Sequence, residues 1–275
     1  MAMRIGIQGQ PGSFHSIAAT LFFGKNIKLL PCDTFPEVFM ALQNKQCDKA
    51  IVAIENSLYG SINNVYDLLL KKHIWICGEI YLHVNQCLIG LPGAKLDKVT
   101  EVHSQGPALG QCEAFLDQHL PQAKRIEQHD TAASVGMVKA WNDPKKVAIA
   151  SREAAAIHGL EILAEEIETH TDNFTRFVVI QSNEEKIPNA DKTSMILTTD
   201  HRPGALYNAL RAFKEQRINL TKLQSRPVIG KKWHYMFYID VAAGTQSRDF
   251  KSALKQLQDQ KCDVTILGSY KSGSA

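Results

Sequence analysis

The chain has 275 residues, of which 44% are hydrophobic and 21% are charged. These proportions are ordinary for a globular protein of about two domains, and they exclude collagen, coiled coils and intrinsically disordered chains. The net charge of +3 is too small to indicate a nucleic-acid partner, and Lys and Arg form no basic stripe.

Strand and helix signals alternate from the N-terminus to residue 182. Met3, Ile5 and Ile7 recur at the two-residue period of a strand, and Ser13 is placed to cap a following helix. Further strands are predicted at 50–54, 74–76, 80–84, 87–89, 147–150 and 175–182, and further helices after Thr34, Ser61, Pro107, Thr131 and Ser151. This alternation predicts an α/β fold with largely parallel sheets.

The last third of the chain has a different order of elements. Residues 183–192 are polar with one proline, which is typical of a linker. Beyond them we predict strands at 193–199, 218–226, 233–241 and 264–267, and helices at 203–215 and 248–258. The resulting β-α-β-β-α-β order is that of a ferredoxin-like unit.

Polar clusters lie where the predicted strands of the first part pass into helices. They are Gly9 to Ser13, Glu55-Asn56-Ser57, His103-Ser104-Gln105 and Asp130-Thr131. In open α/β sheets, ligands bind at the carboxyl ends of strands, beside helix N-termini that attract anions. The clusters carry hydroxyls and amides but almost no cation, so we expect them to hydrogen-bond a carboxylate. Each cluster alone also fits ordinary turn and cap chemistry.

No cofactor or metal is predicted. Gly9-x-x-Gly12 lacks the Gly-Lys-Ser/Thr of a P-loop, and the dinucleotide fingerprint after Ile7 is incomplete. The six cysteines form no C-x-x-C pair and fit reduced thiols. Cys112 with His103 is a weak candidate for a nucleophile and base, because nothing in the sequence orients the histidine.

We also expect a cytoplasmic protein without membrane association. No apolar run reaches the ~18 residues of a membrane span. The start of the chain, MAMRIGIQG, has the alternation of a strand and lacks the apolar core of a secretory signal.

Longer motifs carry a resemblance to a known family. In chain order they are GQPGSF (9–14), AIENSLYG (53–60), HSQGPALGQC (103–112), DTAAS (130–134), AIASREAAAIHGLEIL (148–163), NFTRFVVI (173–180), GAL (204–206), INLTKLQSRP (218–227) and YMFYID (235–240). Together they resemble the prephenate dehydratases of the monofunctional bacterial type with a C-terminal ACT domain.

The resemblance implies an architecture. The catalytic domain would cover 1–182 and be two-lobed, like a periplasmic binding protein, with lobe one at about 1–77 and 175–182 and lobe two at about 78–174. A linker at 183–192 would lead to a ferredoxin-like (βαββαβ) ACT regulatory domain at 193–270.

The resemblance also implies an activity and its regulation. Prephenate would lose its 4-hydroxyl and its ring carboxylate to give phenylpyruvate, in L-phenylalanine biosynthesis. L-phenylalanine would inhibit by binding between two ACT domains, which requires a homodimer or homotetramer. Two alternatives stay open: an arogenate dehydratase that uses the same site, and a non-catalytic amino-acid-sensing binding protein.

Matching positions give the expected catalytic site. Thr175 would be the catalytic residue, and Asn56, Ser57, Ser104, Gln111, Thr131 and Phe177 would contact the substrate. A threonine hydroxyl is a very weak acid, so we expect Thr175 to donate a hydrogen bond to the departing oxygen rather than a whole proton. Phe177 would supply an apolar wall. His103, Glu55 and water remain alternative proton sources, and strand alternation favours a structural role for Arg176.

The expected effector site lies in the ACT domain, at Gly204, Ala205, Leu206, Asn219 and Leu220. The chain departs from the usual family pattern at Ser13, His15 and Gln224. His15 places a ring near the expected cleft.

Overall fold

The structure is a computed structural model that describes residues 2–72, 74–228 and 230–273. Its strands are β1 Met3–Gln8, β2 Ile27–Cys32, β3 Lys49–Asn56, β4 Gly60–Ser61, β5 Trp75–His83, β6 Cys87–Gly90, β7 Glu101–Ser104, β8 Lys124–Glu127, β9 Lys146–Ala150, β10 Glu161–Ala164, β11 Phe174–Gln181, β12 Lys192–Thr198, β13 Leu220–Pro227, β14 Tyr235–Val241 and β15 Asp263–Tyr270. Its helices are α1 Phe14–Phe23, α2 Phe35–Gln43, α3 Asn63–Lys72, α4 Gly106–Gln111, α5 Glu113–His119, α6 Thr131–Trp141, α7 Arg152–His158, α8 Ala205–Glu215 and α9 Arg248–Asp259.

Capping residues begin the helices where the sequence predicts them. Ser13 Oγ accepts a hydrogen bond from the Ser16 amide at the start of α1. Thr34 and Glu37 form the predicted capping box of α2, since Thr34 Oγ1 accepts from the Glu37 amide. Ser151 caps α7 in the same way. These predictions are confirmed.

Several predicted boundaries are wrong for local reasons. The helix after Ser61 begins at Asn63, because Ser61 pairs with Glu55 in the β3–β4 hairpin. The strand signals at 74–76 and 80–84 belong to one strand, β5. The helix after Pro107 is divided at Cys112, which separates α4 from α5.

Two sheets carry most of the N-terminal part. The first has the order β2-β1-β3-β11-β5, and the second has the order β10-β6-β9-β7-β8. β1 is parallel to β2 and β3, and β7 is parallel to β8 and β9, as predicted. The strand β6 departs from this largely parallel pattern, since it is antiparallel to β9 and β10. The chain therefore has a mixed α/β fold.

A third sheet forms the C-terminal part. Its order is β13-β14-β12-β15, with antiparallel neighbours, and α8 and α9 are the helices between its strands. The predicted β-α-β-β-α-β order is confirmed. Its core is built around a cluster that includes Phe213, Ile239 and Phe250.

Internal contacts divide the chain into two compact units. The first contains residues 2–65 and 80–177, and the second contains 66–79 and 178–273. Residues 66–79 join the second unit through buried polar contacts, including Lys192 Nζ at 2.8 and 2.9 Å from the two carboxylate oxygens of Glu79. Tyr238 also donates a hydrogen bond to the Tyr66 carbonyl at 3.1 Å. The domain limits given from the sequence stay predictions.

In the described part of the chain, every helix is too short or too polar to cross a lipid bilayer.

Candidate active site

A cavity of about 310 Å³ lies within the first unit, where strands of both of its sheets end. This volume is in the range of small-molecule sites. Its lining consists of Gln8, Ser13, Phe14, His15, Phe35, Ala53, Asn56, Tyr59, Ile62, Val84, Gln86, Gln105, Pro107, Ala108, Gln111, Asp130, Thr131, Thr175 and Phe177. These described residues include no Lys or Arg, so the cavity offers amides and hydroxyls rather than cations.

All the polar clusters singled out in the sequence reach this cavity. Ser13, Asn56, Gln105 and Thr131 each bring one cluster to the lining. The loop after β1 lies close to the loop before α6, and a Cβ on Gly9 would lie 2.2 Å from Asp130 Oδ2. Because Gly9 also has a φ of +88°, this close approach requires glycine.

The Thr175 hydroxyl is oriented by the side-chain amide of Asn56. Asn56 Oδ1 accepts hydrogen bonds from the amides of Leu58 and Tyr59, each at 3.0 Å. Because only an oxygen can accept from two main-chain amides, these bonds tell Oδ1 of the side-chain amide from Nδ2. The Nδ2 group therefore faces β11. It lies 3.0 Å from Thr175 Oγ1 and 2.8 Å from Asn173 Oδ1. Since Thr175 Oγ1 accepts here, its own hydrogen can be donated into the cavity.

An apolar wall stands beside this hydroxyl. Phe177 is buried and lines the cavity, and the His15 ring meets it edge-on at 5.0 Å between ring centroids. Phe35 lies 5.7 Å from the same imidazole. His15 Nε2 accepts a hydrogen bond from the Ala53 amide at 3.1 Å. Burial lowers the pKa of His15 to about 3, so the ring is neutral at neutral pH.

Residues of α4 and α6 also line the cavity. Gln111, at the end of α4, accepts a hydrogen bond from Gln86 Nε2 at 3.0 Å. Thr131 opens α6, and Asp130 caps that helix by accepting from the Ala133 amide at 2.6 Å. Burial raises the pKa of Asp130. Gln111 and Thr131 thus lie at the cavity as predicted.

Two predicted contact residues do not line the cavity. Ser104 has no exposed surface, and its hydroxyl donates to the Ile149 carbonyl at 2.7 Å. Ser57 Oγ donates to the Asp172 carbonyl at 2.8 Å and accepts from the Phe174 amide at 2.9 Å. Both hydroxyls are thus already hydrogen-bonded to the main chain, and contact of these two residues with substrate stays a prediction.

The alternative proton donors also lie outside the lining. His103 is buried, with Nε2 at 3.1 Å from Glu101 Oε2. Glu55 lies 3.8 Å from the buried guanidinium of Arg176, which agrees with a structural role for that arginine. Burial raises the pKa of Cys112, which disfavours the thiolate needed for the Cys112–His103 pair.

The predicted effector residues lie in the second unit. Ala205 and Leu206 line a separate cavity of about 160 Å³, together with Tyr235 and Phe237. Gly204 precedes them as the N-cap of α8. Asn219 and Leu220 are not among the residues described as lining that cavity.

Sequence reasoning did not assign several residues of the cavity. Gln8, Gln86 and Tyr59 contribute polar groups to its lining, and Asn173 holds the Asn56 amide. Gln8 ends β1, and its place at a strand end could have indicated a site residue. Gln86, Tyr59 and Asn173 are identified only by contacts that the folded chain shows. Among the residues described here, no group of three or more His, Cys, Asp or Glu could hold a metal ion.

Comparisons with known proteins place these features in one family. A family model described as prephenate dehydratase matches residues 5–185. The chain is 39% identical over 285 residues to arogenate dehydratase/prephenate dehydratase 1 of Arabidopsis thaliana, a chloroplastic protein. The matched region covers 98% of this chain and 72% of that relative.

Two solved structures are similar in fold to this protein over nearly the whole chain. One is a prephenate dehydratase from Arthrobacter aurescens in complex with L-Phe, with a TM-score of 0.88, 28% identity and coverage of 98% of this chain and 89% of that one. Another is GqqA, described as a novel type of quorum quenching acylase, with a TM-score of 0.88, 29% identity and coverage of 98% of each chain.

Proposed function

Because the chain belongs to the prephenate dehydratase family, we propose that it converts prephenate to phenylpyruvate in L-phenylalanine biosynthesis. In this reaction the bond between the ring and its carboxylate breaks, and the electron pair moves into the ring. The C–O bond of the 4-hydroxyl breaks at the opposite end, and the leaving oxygen takes up a proton. The products are phenylpyruvate, CO2 and water.

The aromatic product supplies much of the driving force, so the protein must mainly assist the leaving groups. Negative charge develops on the departing oxygen, and a fixed hydrogen-bond donor stabilises it. The ring carboxylate must lose its charge to become CO2, and an apolar surrounding favours that loss. Thr175 and Phe177 supply these two conditions on one strand, with side chains on the same face.

The observation that carries the proposal is the hydrogen bond from Asn56 Nδ2 to Thr175 Oγ1. It makes Thr175 an acceptor on one side and a donor toward the cavity. Asn56 therefore orients Thr175 instead of binding the substrate carboxylate through its own amide. We assign carboxylate binding to Gln111 and Thr131, which line the cavity, because the Ala133 amide at the start of α6 already donates to Asp130.

In this proposal the proton that completes the leaving water comes through a bound water, which takes a proton back from the solvent. His103 and Glu55 lie outside the lining, and the neutral His15 is bonded to the Ala53 amide. Thr175 then lowers the barrier to C–O cleavage without becoming an alkoxide.

Acyl transfer, the activity in the description of GqqA, is less well supported by this geometry. A covalent acylase needs a nucleophile beside a base. The side-chain partner of Thr175 is the amide of Asn56, which is no base. The His15 imidazole accepts from a main-chain amide rather than from a hydroxyl.

Arogenate is the second candidate substrate, because the Arabidopsis relative is described by both activities. It carries an amino group in place of the keto group of prephenate. Purified protein should be assayed with both substrates in parallel. Formation of phenylpyruvate, followed by its absorbance in alkali, is the expected result. Turnover of arogenate but not of prephenate would show that the protein is an arogenate dehydratase. Binding without turnover of either substrate would make it a non-catalytic amino-acid-sensing protein.

We further propose that residues 193–270 form an ACT domain and that L-phenylalanine inhibits by binding between two such domains. The L-Phe complex of the Arthrobacter protein and the β-α-β-β-α-β order support this. Gly204, Ala205 and Leu206 of one copy would face Asn219 and Leu220 of another, so the protein would be a homodimer or homotetramer. Light scattering with and without L-phenylalanine, together with inhibition of the assay, tests the proposal.

A further inference from the structure

Asn173 is a buried residue that contacts the catalytic network without lining the cavity. Its side chain has no exposed surface, and it lies immediately before β11. Asn173 Oδ1 lies 2.8 Å from Asn56 Nδ2, which is shorter than the contact of the same amide with Thr175 Oγ1.

The Asn56 amide has more acceptors than hydrogens. Besides Asn173 Oδ1 and Thr175 Oγ1, the Phe174 carbonyl lies 3.2 Å from Nδ2. Two hydrogens must therefore be shared among three oxygens. The contact with Asn173 is the shortest, so it holds one hydrogen, and together with the Leu58 and Tyr59 amides at Oδ1 it fixes the amide plane. The other hydrogen is then directed to Thr175 and the Phe174 carbonyl.

The main chain holds Asn173 in place independently of any substrate. The Val84 amide donates to the Asn173 carbonyl at 2.7 Å, and the Ser57 amide donates to the Phe174 carbonyl at 2.8 Å. The main chain that carries the Asn173 side chain is thus held by neighbouring segments before a ligand arrives. Preorganisation of this kind is what precise orientation of a reacting group requires.

The other half of the Asn173 side chain is unused. Its Nδ2 is buried and has no hydrogen-bond partner within the part of the chain that the structure describes. A buried donor without a partner is destabilising, so structural needs alone do not explain an amide at this position. The polar atom of this side chain that has a partner is Oδ1, which accepts a hydrogen bond from Asn56 Nδ2.

We propose that Asn173 is a positioning residue, which acts through Asn56 on the Thr175 hydroxyl. This inference rests on the proposed dehydratase function. Without Asn173 Oδ1, the Asn56 amide turns toward the Phe174 carbonyl, and Thr175 loses the hydrogen bond that directs its own hydrogen into the cavity. Substrate binding is little affected, because Asn173 does not line the cavity.

The test compares Asn173→Leu with Asn173→Asp in steady-state assays with prephenate. Leucine has a similar size and no acceptor, whereas aspartate keeps the oxygen and replaces the unused Nδ2. We expect Asn173→Leu to lower kcat about 10- to 100-fold with little change in KM. Asn173→Asp should retain at least a tenth of the kcat. A purely structural role predicts the reverse order, because aspartate places a carboxylate in a fully buried site.

The Thr175→Val background separates positioning from other effects. Single-turnover rates at high enzyme concentration should fall no more than about twofold when Asn173→Leu is added to Thr175→Val. An equal loss in both backgrounds, or a wild-type kcat for Asn173→Leu, would overturn the inference. If Asn173→Leu does not fold, Asn173→Ser takes its place, because its hydroxyl is too short to reach Asn56. Inactive wild-type protein would instead refute the proposed function.

Discussion

Thr175 and Ser104 are both hydroxyl residues at a strand end, and the sequence predicts both as site residues. Thr175 lines the cavity and accepts a hydrogen bond from the Asn56 amide. Ser104 is fully buried and donates its hydrogen to the Ile149 carbonyl. The first hydroxyl keeps its hydrogen for a ligand, and the second has already given it to the main chain. The comparison teaches that the direction of a hydrogen bond decides whether a hydroxyl is available for chemistry.

The largest effect is expected at Thr175. Thr175→Val removes the donor at nearly constant volume, and we expect kcat to fall about 10²- to 10³-fold, as for the loss of an oxyanion-hole donor. The unfolding temperature should change little, because the variant loses one hydrogen bond at a site that opens on a cavity. Steady-state kinetics and thermal unfolding measure both quantities.

Thr175→Ser is the matched control for this change. It keeps the hydroxyl and the contact with Asn56, so most of the lost rate should return. A Thr175→Val variant with wild-type kcat would remove the hydroxyl from the mechanism.

Ser104→Ala is expected to show the opposite pattern. Loss of its hydrogen bond to the Ile149 carbonyl should reduce the free energy of unfolding by about 1–3 kcal/mol. The kcat should remain within about threefold of wild type, since the hydroxyl does not reach the cavity. Urea unfolding and the prephenate assay make the comparison. A large fall in kcat with unchanged stability would break the contrast with Thr175.

The second sheet contributes to the cavity through α4, where Gly110 lies against Tyr59. A Cβ on Gly110 would lie 2.5 Å from the Tyr59 hydroxyl, which donates to the Pro107 carbonyl at 3.1 Å. Gly110→Ala should displace the tyrosine and lower kcat/KM by up to about tenfold.

Tyr59→Phe supplies the control for Gly110→Ala, because it removes the atom that the new methyl group meets. Adding Gly110→Ala to Tyr59→Phe should then cost less than it does alone. Equal losses in both backgrounds would exclude the clash as the cause.

The smallest effect concerns the pH dependence of stability. The pKa of His15 is lowered to about 3 in the folded protein, from 6.5 when exposed. The unfolded chain therefore binds the proton first, and stability is lost as the pH falls from 6.5 toward 3. One such group contributes a slope that approaches about 1.4 kcal/mol per pH unit well below pH 6.5.

Urea unfolding between pH 7 and 5.5 should show a shallower pH slope for His15→Phe than for wild type. An identical slope for both proteins would show that His15 titrates normally.

The sequence predicts which helix and strand ends form the site better than it predicts how each side chain is oriented there. Helix caps and strand ends follow from local patterns, so the convergence of Ser13, Asn56 and Thr131 on one cavity could be expected. The burial of Ser104 and its hydrogen bond to the Ile149 carbonyl depend on a contact between distant segments, which no local pattern encodes.

In the C-terminal part, too, local patterns predict the elements, whereas long-range contacts decide what packs with them. The order of its strands and helices along the chain follows from the hydrophobic pattern. The joining of residues 66–79 to that unit instead depends on buried pairs such as Glu79 with Lys192. Glu79 and Lys192 are far apart in the chain, and each alone resembles an exposed charge.

A crystal structure with a ring-saturated prephenate analogue would test the central claim most directly, because such a molecule keeps the ring hydroxyl and cannot become aromatic. We predict that Thr175 Oγ1 lies about 2.6–3.0 Å from that hydroxyl oxygen, with the ring carboxylate against Phe177. An analogue whose hydroxyl is bound by another side chain, with Thr175 beyond hydrogen-bonding distance, would contradict the account.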